Sequence, residues 1–295
     1  MVVLCSFWGL NQVAIKTANQ GISPVFQAGL RSLGSAVLLW AWMRYRGTPL
    51  FQRDGSLRVG ILLGLLFAVE FIFLFWSLQF AGASRTVLFL YTAPFFVALG
   101  AHVFVPTERL TGLRTIGLIA AFAGVVIAFG DALRFPSGRE LFGDFLAFLA
   151  AIFWASTTVL VKASRLAKLD PGKTLFYQLA VSIFVLFAVS ASVGEPGIVA
   201  PTPAVVGWLI YQIVVISFFS YLTWFWLMTR YPASTLATFT LLTPIFGLAA
   251  GGVLLAEPIT AALVLAMLLV AIGIYLVNRV RPAALVVPGA LSAGD

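Results

Sequence analysis

Two stretches decide the fold: ASRTVLFLYTAPFFVALGAHVFVPTERLTG, residues 83–112, and ASTLATFTLLTPIFGLAAGGVLLAEPITA, residues 233–261. In the first, Ala83-Ser84 is followed ten residues later by Pro94, then by Glu108-Arg109-Leu110-Thr111 and Gly124. In the second, Ala233-Ser234 is followed ten residues later by Pro244, then by Glu257-Pro258-Ile259-Thr260 and Gly273. Upstream, Phe7-Trp8 precedes Lys16 as Phe153-Trp154 precedes Lys162. An offset that stays near 146–150 residues marks an internal duplication rather than shared composition.

Between these landmarks the chain is apolar. It has 295 residues, 61% hydrophobic and 9% charged, whereas soluble domains average about 25% charged. A globule of this size could not hide so much apolar surface from water, so lipid is its natural solvent. Apolar segments at about 2–20, 24–43, 59–81, 84–105, 113–130, 142–161, 174–193, 204–228, 234–255 and 259–278 match the roughly 17–25 residues of a spanning helix. The alternating ten-residue segments of a membrane β-barrel are absent. The expected fold is an all-α integral membrane protein of ten transmembrane helices. Five spans per half is odd, so the second half enters the membrane upside down, giving two inverted five-helix repeats. The expected units are 1–133 and 134–281, followed by a disordered cytoplasmic tail at 282–295.

The net charge of +8 is carried by short connections, as the positive-inside rule expects, and not by a nucleic-acid-binding face. With a cytoplasmic N-terminus, thirteen Lys and Arg fall inside. Lys16, Arg85, Arg134 and Arg139 fall outside, and Arg31 lies within a span. Both termini are therefore expected in the cytoplasm of a protein of the cell's inner membrane. The N-terminus lacks a signal-peptide pattern, so its first apolar segment is expected to remain. The single cysteine, Cys5, excludes an intrachain disulfide and argues against a Cys-based metal site. No metal and no cofactor are expected.

The opening Phe7 to Lys16, Arg31 in the second span and the duplicated Ala-Ser…Pro…Glu-x-x-Thr pattern resemble the drug/metabolite transporter superfamily in its EamA-type ten-helix form. The likeness runs from residue 2 to about 280. It implies a five-plus-five fold, alternating access, and a cavity lined by the first, third, fourth, sixth, eighth and ninth helices. Many such proteins export amino acids or related metabolites, and the aromatic amino-acid exporters are a neighbouring subgroup.

Glu70 is the sharpest chemical signal. It lies in mid-span, where a carboxylate is costly and faces a cavity or a partner. It is expected to bind a substrate ammonium or accept a proton; the structural reading is a pair with Arg31 or a hydrogen bond within the bundle. Its repeat counterpart is Ser220. Arg31 could grip a substrate carboxylate, but two turns from a helix end it is also within snorkelling reach, and a structural role is favoured. Lys16, Lys162 and His102 read as interfacial.

Trp8, Asn11 and Gln12 on the first helix correspond to Trp154, Thr157 and Thr158 on the sixth. Ser217, Ser220, Tyr221 and Trp224 share the three-and-four spacing of one helix face. Interhelical hydrogen bonds or interface belts would also explain them. As a set, with Tyr91, they are expected to line a water-accessible cavity. Trp8, Asn11, Glu70, Tyr91, Trp154, Thr158 and Tyr221 are the substrate-binding candidates. Pro94 and Pro244 should kink equivalent helices, displacing the carbonyls of Leu90 and Thr240, and are the gating candidates. Gly251-Gly252 reads as close helix packing. The single histidine and the absence of paired intramembrane carboxylates leave no enzyme constellation. An intramembrane enzyme acting on lipid or isoprenoid substrates is the alternative, and a channel the third reading. The expected partners are a small-molecule substrate and the lipid bilayer.

Overall fold

The computed structural model describes residues 1–52, 54–130, 135–247 and 261–279, without the side chains of residues 12, 82–84 and 261–263. Gly251-Gly252, Glu257 and the tail at 282–295 lie outside the described residues, as does the side chain of Gln12.

The described chain is helical, with no strand beyond one antiparallel bridge, Ile22 to Ile198. The helices are α1 (Val2–Ala18), α2 (Pro24–Tyr45), α3 (Leu57–Leu90), α4 (Ala93–Phe104), α5 (Gly112–Ala128), α6 (Gly138–Ala163) and α7 (Pro171–Ser192). They continue as α8 (Pro203–Tyr211), a π-helical segment (Gln212–Ser220), α9 (Tyr221–Met228), α10 (Ala233–Thr240), α11 (242–247) and α12 (Ala261–Arg279). Among the described residues, five segments are long and apolar enough to cross a bilayer: Leu57–Ala81, Arg85–Phe104, Gly138–Ala163, Pro171–Ser192 and Pro203–Met228. Large apolar side chains face outward, among them Ile116 and Ile119 on α5, Phe184 on α7, and Leu268, Ile272 and Tyr275 on α12. Water would not tolerate this surface; the hydrocarbon of a bilayer does. This is a membrane protein.

Prolines and hydroxyls start the helices. Pro24, Pro94, Pro171 and Pro203 each occupy a first-turn position, where a missing N–H costs nothing. Ser137 and Glu140 form a reciprocal capping box at the start of α6.

α3 runs helical through two expected spans, yet it does not run straight. The Ser77 and Thr86 hydroxyls are 2.7 Å apart, whereas nine residues of straight helix would separate them by about 13.5 Å. The helix therefore reverses between these residues.

Pro94 and Pro244 act differently from a mid-helix kink. The helix stops at Tyr91 and Thr92, and Pro94 opens α4 one turn later. It stops again at Leu241, and Pro244 lies in the first turn of α11. At each break a threonine hydroxyl returns to a carbonyl three residues back, Thr92 to Phe89 and Thr240 to Ala237, each at 2.6 Å. Proline thus restarts a helix that has already broken, and threonine satisfies part of the freed backbone.

The most extensive packing joins α3 to α6, α5 to α12 and α2 to α7. Without a hydrophobic driving force in lipid, such pairs depend on close van der Waals contact. A Cβ on Gly117 would lie 2.8 Å from the Gly273 carbonyl oxygen, and one on Gly273 would run into that of Gly117. A Cβ on Gly124 would lie 2.7 Å from the Ala266 carbonyl oxygen.

Carboxylates join distant segments. Glu195 accepts from the amides of Val25 and Phe26 at 3.0 and 2.8 Å, capping α2. Lys173 on α7 donates to Asp54 at 2.7 Å. That bond, with those from Ser56, holds the Asp54 carboxyl below the usual carboxylate range. Glu108 accepts from the amides of Ala233 and Ser234 at 2.8 and 3.1 Å, capping α10. Lys162 lies 3.8 Å from Glu108, so it turns inward onto this carboxylate instead of anchoring at the lipid surface.

Gly273→Ala should lower the thermal unfolding temperature in detergent, because its methyl meets backbone that cannot move aside, at a cost of about 1–3 kcal/mol. Gly207→Ala, where nothing lies within 4 Å, should leave it unchanged or raise it through helix propensity. Equal melting of the two variants would contradict the close approach of α5 and α12.

Candidate functional site

A cavity of about 130 Å³ lies between the helices. All seven binding candidates line it: Trp8, Asn11, Glu70, Tyr91, Trp154, Thr158 and Tyr221. They come from α1, α3, the break after α3, α6 and α9, so residues more than 200 positions apart share one wall. An engineered cavity of about 150 Å³ accommodates a single aromatic ring, which sets the scale of an occupant.

The walls are aromatic rings locked edge to face. Trp8 meets Trp224 at 5.6 Å between centroids, Tyr91 meets Trp154 at 5.9 Å, and Phe67 meets Tyr221 at 6.2 Å. This arrangement suits the ring quadrupoles and fixes the wall's shape. Thr157 and Thr158 both donate to the Trp154 carbonyl, at 2.7 and 3.1 Å, so their hydroxyl protons are committed to the helix.

Trp8 and Trp154 are repeat counterparts, as are Ser220 and Glu70, but the two pairs differ. Trp8 Nε1–H donates to Ser220 Oγ at 2.8 Å, and Ser220 donates onward to the Ile216 carbonyl at 2.6 Å. No hydrogen bond joins Trp154 to Glu70. Glu70 is 7% exposed, and its Oε2 has no hydrogen-bond partner. Asn11 is equally enclosed, with Oδ1 unpartnered.

Arg31 does not snorkel. It is 1% exposed, and its guanidinium carbon sits 4.1 Å from the centroid of Phe71, a ring that itself lines the cavity. Its Nε and one terminal nitrogen lack hydrogen-bond partners, and no ion pair within 4 Å joins it to Glu70.

The eighth-span set separates. Tyr221 and Trp224 line the cavity, while Ser217 and Ser220 are buried behind them. The cause is the π-helix from Gln212 to Ser220. Its wider turn breaks the three-and-four periodicity on which a shared face depends. Sequence reading also missed Gln178, which lines the cavity from α7. Its signal was a lone amide in the apolar run Thr174 to Val181. Among the described residues α10 contributes nothing to this wall, contrary to the expectation for the ninth span. His102 is exposed at the end of α4 and accepts from the Leu110 amide at 3.2 Å, outside the cavity.

Comparison with known proteins places this geometry in a family. A "Probable amino-acid metabolite efflux pump" of Escherichia coli strain K12 is 28% identical over 278 residues, covering 91% of this chain and 90% of that protein. An uncharacterised transporter of Archaeoglobus fulgidus is 30% identical over 288 residues, covering 95% of this chain and 98% of its own length. An uncharacterised transporter of Bacillus subtilis strain 168 is 26% identical over 270 residues, covering 91% and 92%. A solved crystal structure superposes with a TM-score of 0.81 over 94% of this chain and 95% of its own, at 19% identity, a likeness of fold alone. The profile of the EamA-like transporter family matches residues 1–130 and 141–279. Family and relatives point to transport rather than catalysis, and the chain belongs to the EamA-like transporter family.

Proposed function

We propose that the protein exports small amphipathic metabolites, amino acids with bulky apolar side chains foremost, by alternating access of a midplane cavity between two inverted five-helix units. The observation that carries this reading is the cavity itself. Aromatic walls drawn from both halves of the chain surround a buried carboxylate at mid-depth of α3. An apolar pocket with a few polar groups suits such a substrate. The efflux-pump name of the Escherichia coli relative supports amino-acid metabolites.

Reciprocal contacts support the division into ten helices and units at 1–133 and 134–281. Gly117 touches Gly273, and their duplication partners Ala266 and Gly124 touch in turn. The α2–α3 loop reaches the start of α7 through Asp54, and the α7–α8 loop reaches the start of α2 through Glu195. A pseudo-two-fold axis in the membrane plane would produce such exchanges.

Glu70 is the polar anchor in this reading, with Trp8, Asn11, Tyr91, Trp154, Thr158 and Tyr221 as the surrounding wall. Saturable flux of radiolabelled amino acids into vesicles holding the purified protein tests the function. Glu70→Gln keeps the side-chain volume but removes the charge. Binding should weaken by one charge-assisted hydrogen bond, roughly 1.5–3 kcal/mol or about tenfold to a hundredfold. Wild-type affinity in that variant, with melting of the Glu70→Gln/Arg31→Met double variant recovered, would assign Glu70 to structure.

Pro94 and Pro244, at matched breaks, are proposed to permit the helix rearrangements between states. Pro94→Ala and Pro244→Ala should slow flux more than they weaken binding. Unchanged flux in both single variants and the double variant, at equal protein amounts, would remove the gating role.

The proposed topology places both termini and the α2–α3 loop in the cytoplasm of the inner membrane, following the distribution of Lys and Arg. In a Cys5→Ser background, Gly197→Cys should react with an impermeant thiol reagent from outside intact cells, and Gly55→Cys should not. The reverse pattern would invert the assignment.

A further inference from the structure

Among the described residues, the cavity wall contains one carboxylate, Glu70, and no lysine, arginine or histidine. An amino acid presents two charges to such a wall, and only the ammonium would find a charged partner. Its carboxylate would leave water for a low-dielectric space whose remaining donors, the hydroxyls of Tyr91 and Tyr221 among them, are neutral. Burying an ion without a counter-charge is costly.

The nearby cations do not fill this gap. Arg31 has its guanidinium against the Phe71 ring and makes no ion pair with Glu70 within 4 Å. Lys162 faces Glu108, and Lys173 is bonded to Asp54. None of the three lines the cavity.

The unspent hydrogen-bonding capacity points the same way. Glu70 Oε2 and Asn11 Oδ1 are buried acceptors without donors, on the wall of the same cavity. Native structures rarely leave such atoms unsatisfied. Two unsatisfied acceptors, one of them a carboxylate oxygen, call for an occupant that brings several N–H groups. Trp8, Trp154 and Trp224 line the same space, and aromatic rings attract an ammonium group.

We infer that the site selects an aromatic or similarly apolar primary amine, carried as its ammonium ion and lacking a free carboxylate, over the corresponding amino acid. Carboxylic acids without an amine are excluded. This inference rests on the cavity being the transport site, and within the small amphipathic metabolites proposed above it ranks amines ahead of amino acids.

Three compounds with the same ring and chain length separate the charges: 2-phenylethylamine, phenylalanine and 3-phenylpropionate. Binding is read from the fluorescence of the purified full-length protein, since three cavity residues are tryptophans. The same compounds are then tested for flux in vesicles. The expected order is amine first, phenylalanine at least tenfold weaker, and no saturable binding of the acid. In Glu70→Gln the amine should lose at least tenfold in affinity, while the difference between amine and phenylalanine shrinks. If that variant does not fold, the ranking on the wild-type protein decides. Phenylalanine binding as tightly as the amine or tighter would overturn the inference and leave amino-acid export standing. Tightest binding of the acid, or no binding of any of the three, would overturn it as well. Saturable amino-acid flux tests the broader transport reading separately.

Discussion

A helix that begins against other segments of a membrane protein must find partners for its first N–H groups. Here carboxylates from remote segments supply them. Glu195 covers the start of α2 from 170 positions away, and Glu108 covers the start of α10 from 125. Each bond is charge-assisted, and the positive end of a helix dipole adds to the attraction. These carboxylates do more than close helix ends. They fix where α2 and α10 enter the bundle, and so they set the frame within which the cavity walls are held.

Inside that frame the site depends on departures from regular helix. The break at Tyr91 and Thr92 turns Tyr91 against Trp154, and the π-helix rotates Tyr221 and Trp224 into the cavity while leaving Ser220 to receive the indole of Trp8. A chain of uninterrupted helices would present these side chains elsewhere. Polar groups are consequently concentrated at a few places, with hydroxyls absorbing the backbone groups that irregularity frees.

Much of this was legible in the sequence. The apolar segments and their spacing gave the helices, and the depth of Glu70 in its span gave the central polar group of the cavity. The seven residues chosen for the wall do share it, because helix periodicity holds in α1, α3 and α6. Periodicity fails in the π-helix, so Ser217 and Ser220 were placed on the wrong face. Arg31 lies close enough to a helix end to snorkel, and nothing local reveals that it is buried against Phe71 of α3. Gln178 was visible only as one amide in an apolar run. The proline spacing was correct, but a proline that restarts a helix and one that bends it look alike in sequence. The repeated Ala-Ser and Glu motifs found part of their explanation in the cap that Glu108 places on Ala233 and Ser234.

The seam between α5 and α12 bears on how the two halves of the chain can diverge. Gly117 and Gly273 face each other backbone to backbone. A side chain gained on either helix would need space that the other cannot give, since no rotamer change moves a carbonyl. Substitutions along this seam are therefore judged jointly, and a change in one copy of the duplicated sequence is tied to the state of its counterpart. The cavity imposes no such mutual veto, and there one copy holds Glu70 where the other holds Ser220. Sequence likeness between the halves should thus persist longest where they touch, while chemical individuality accumulates where they stand apart.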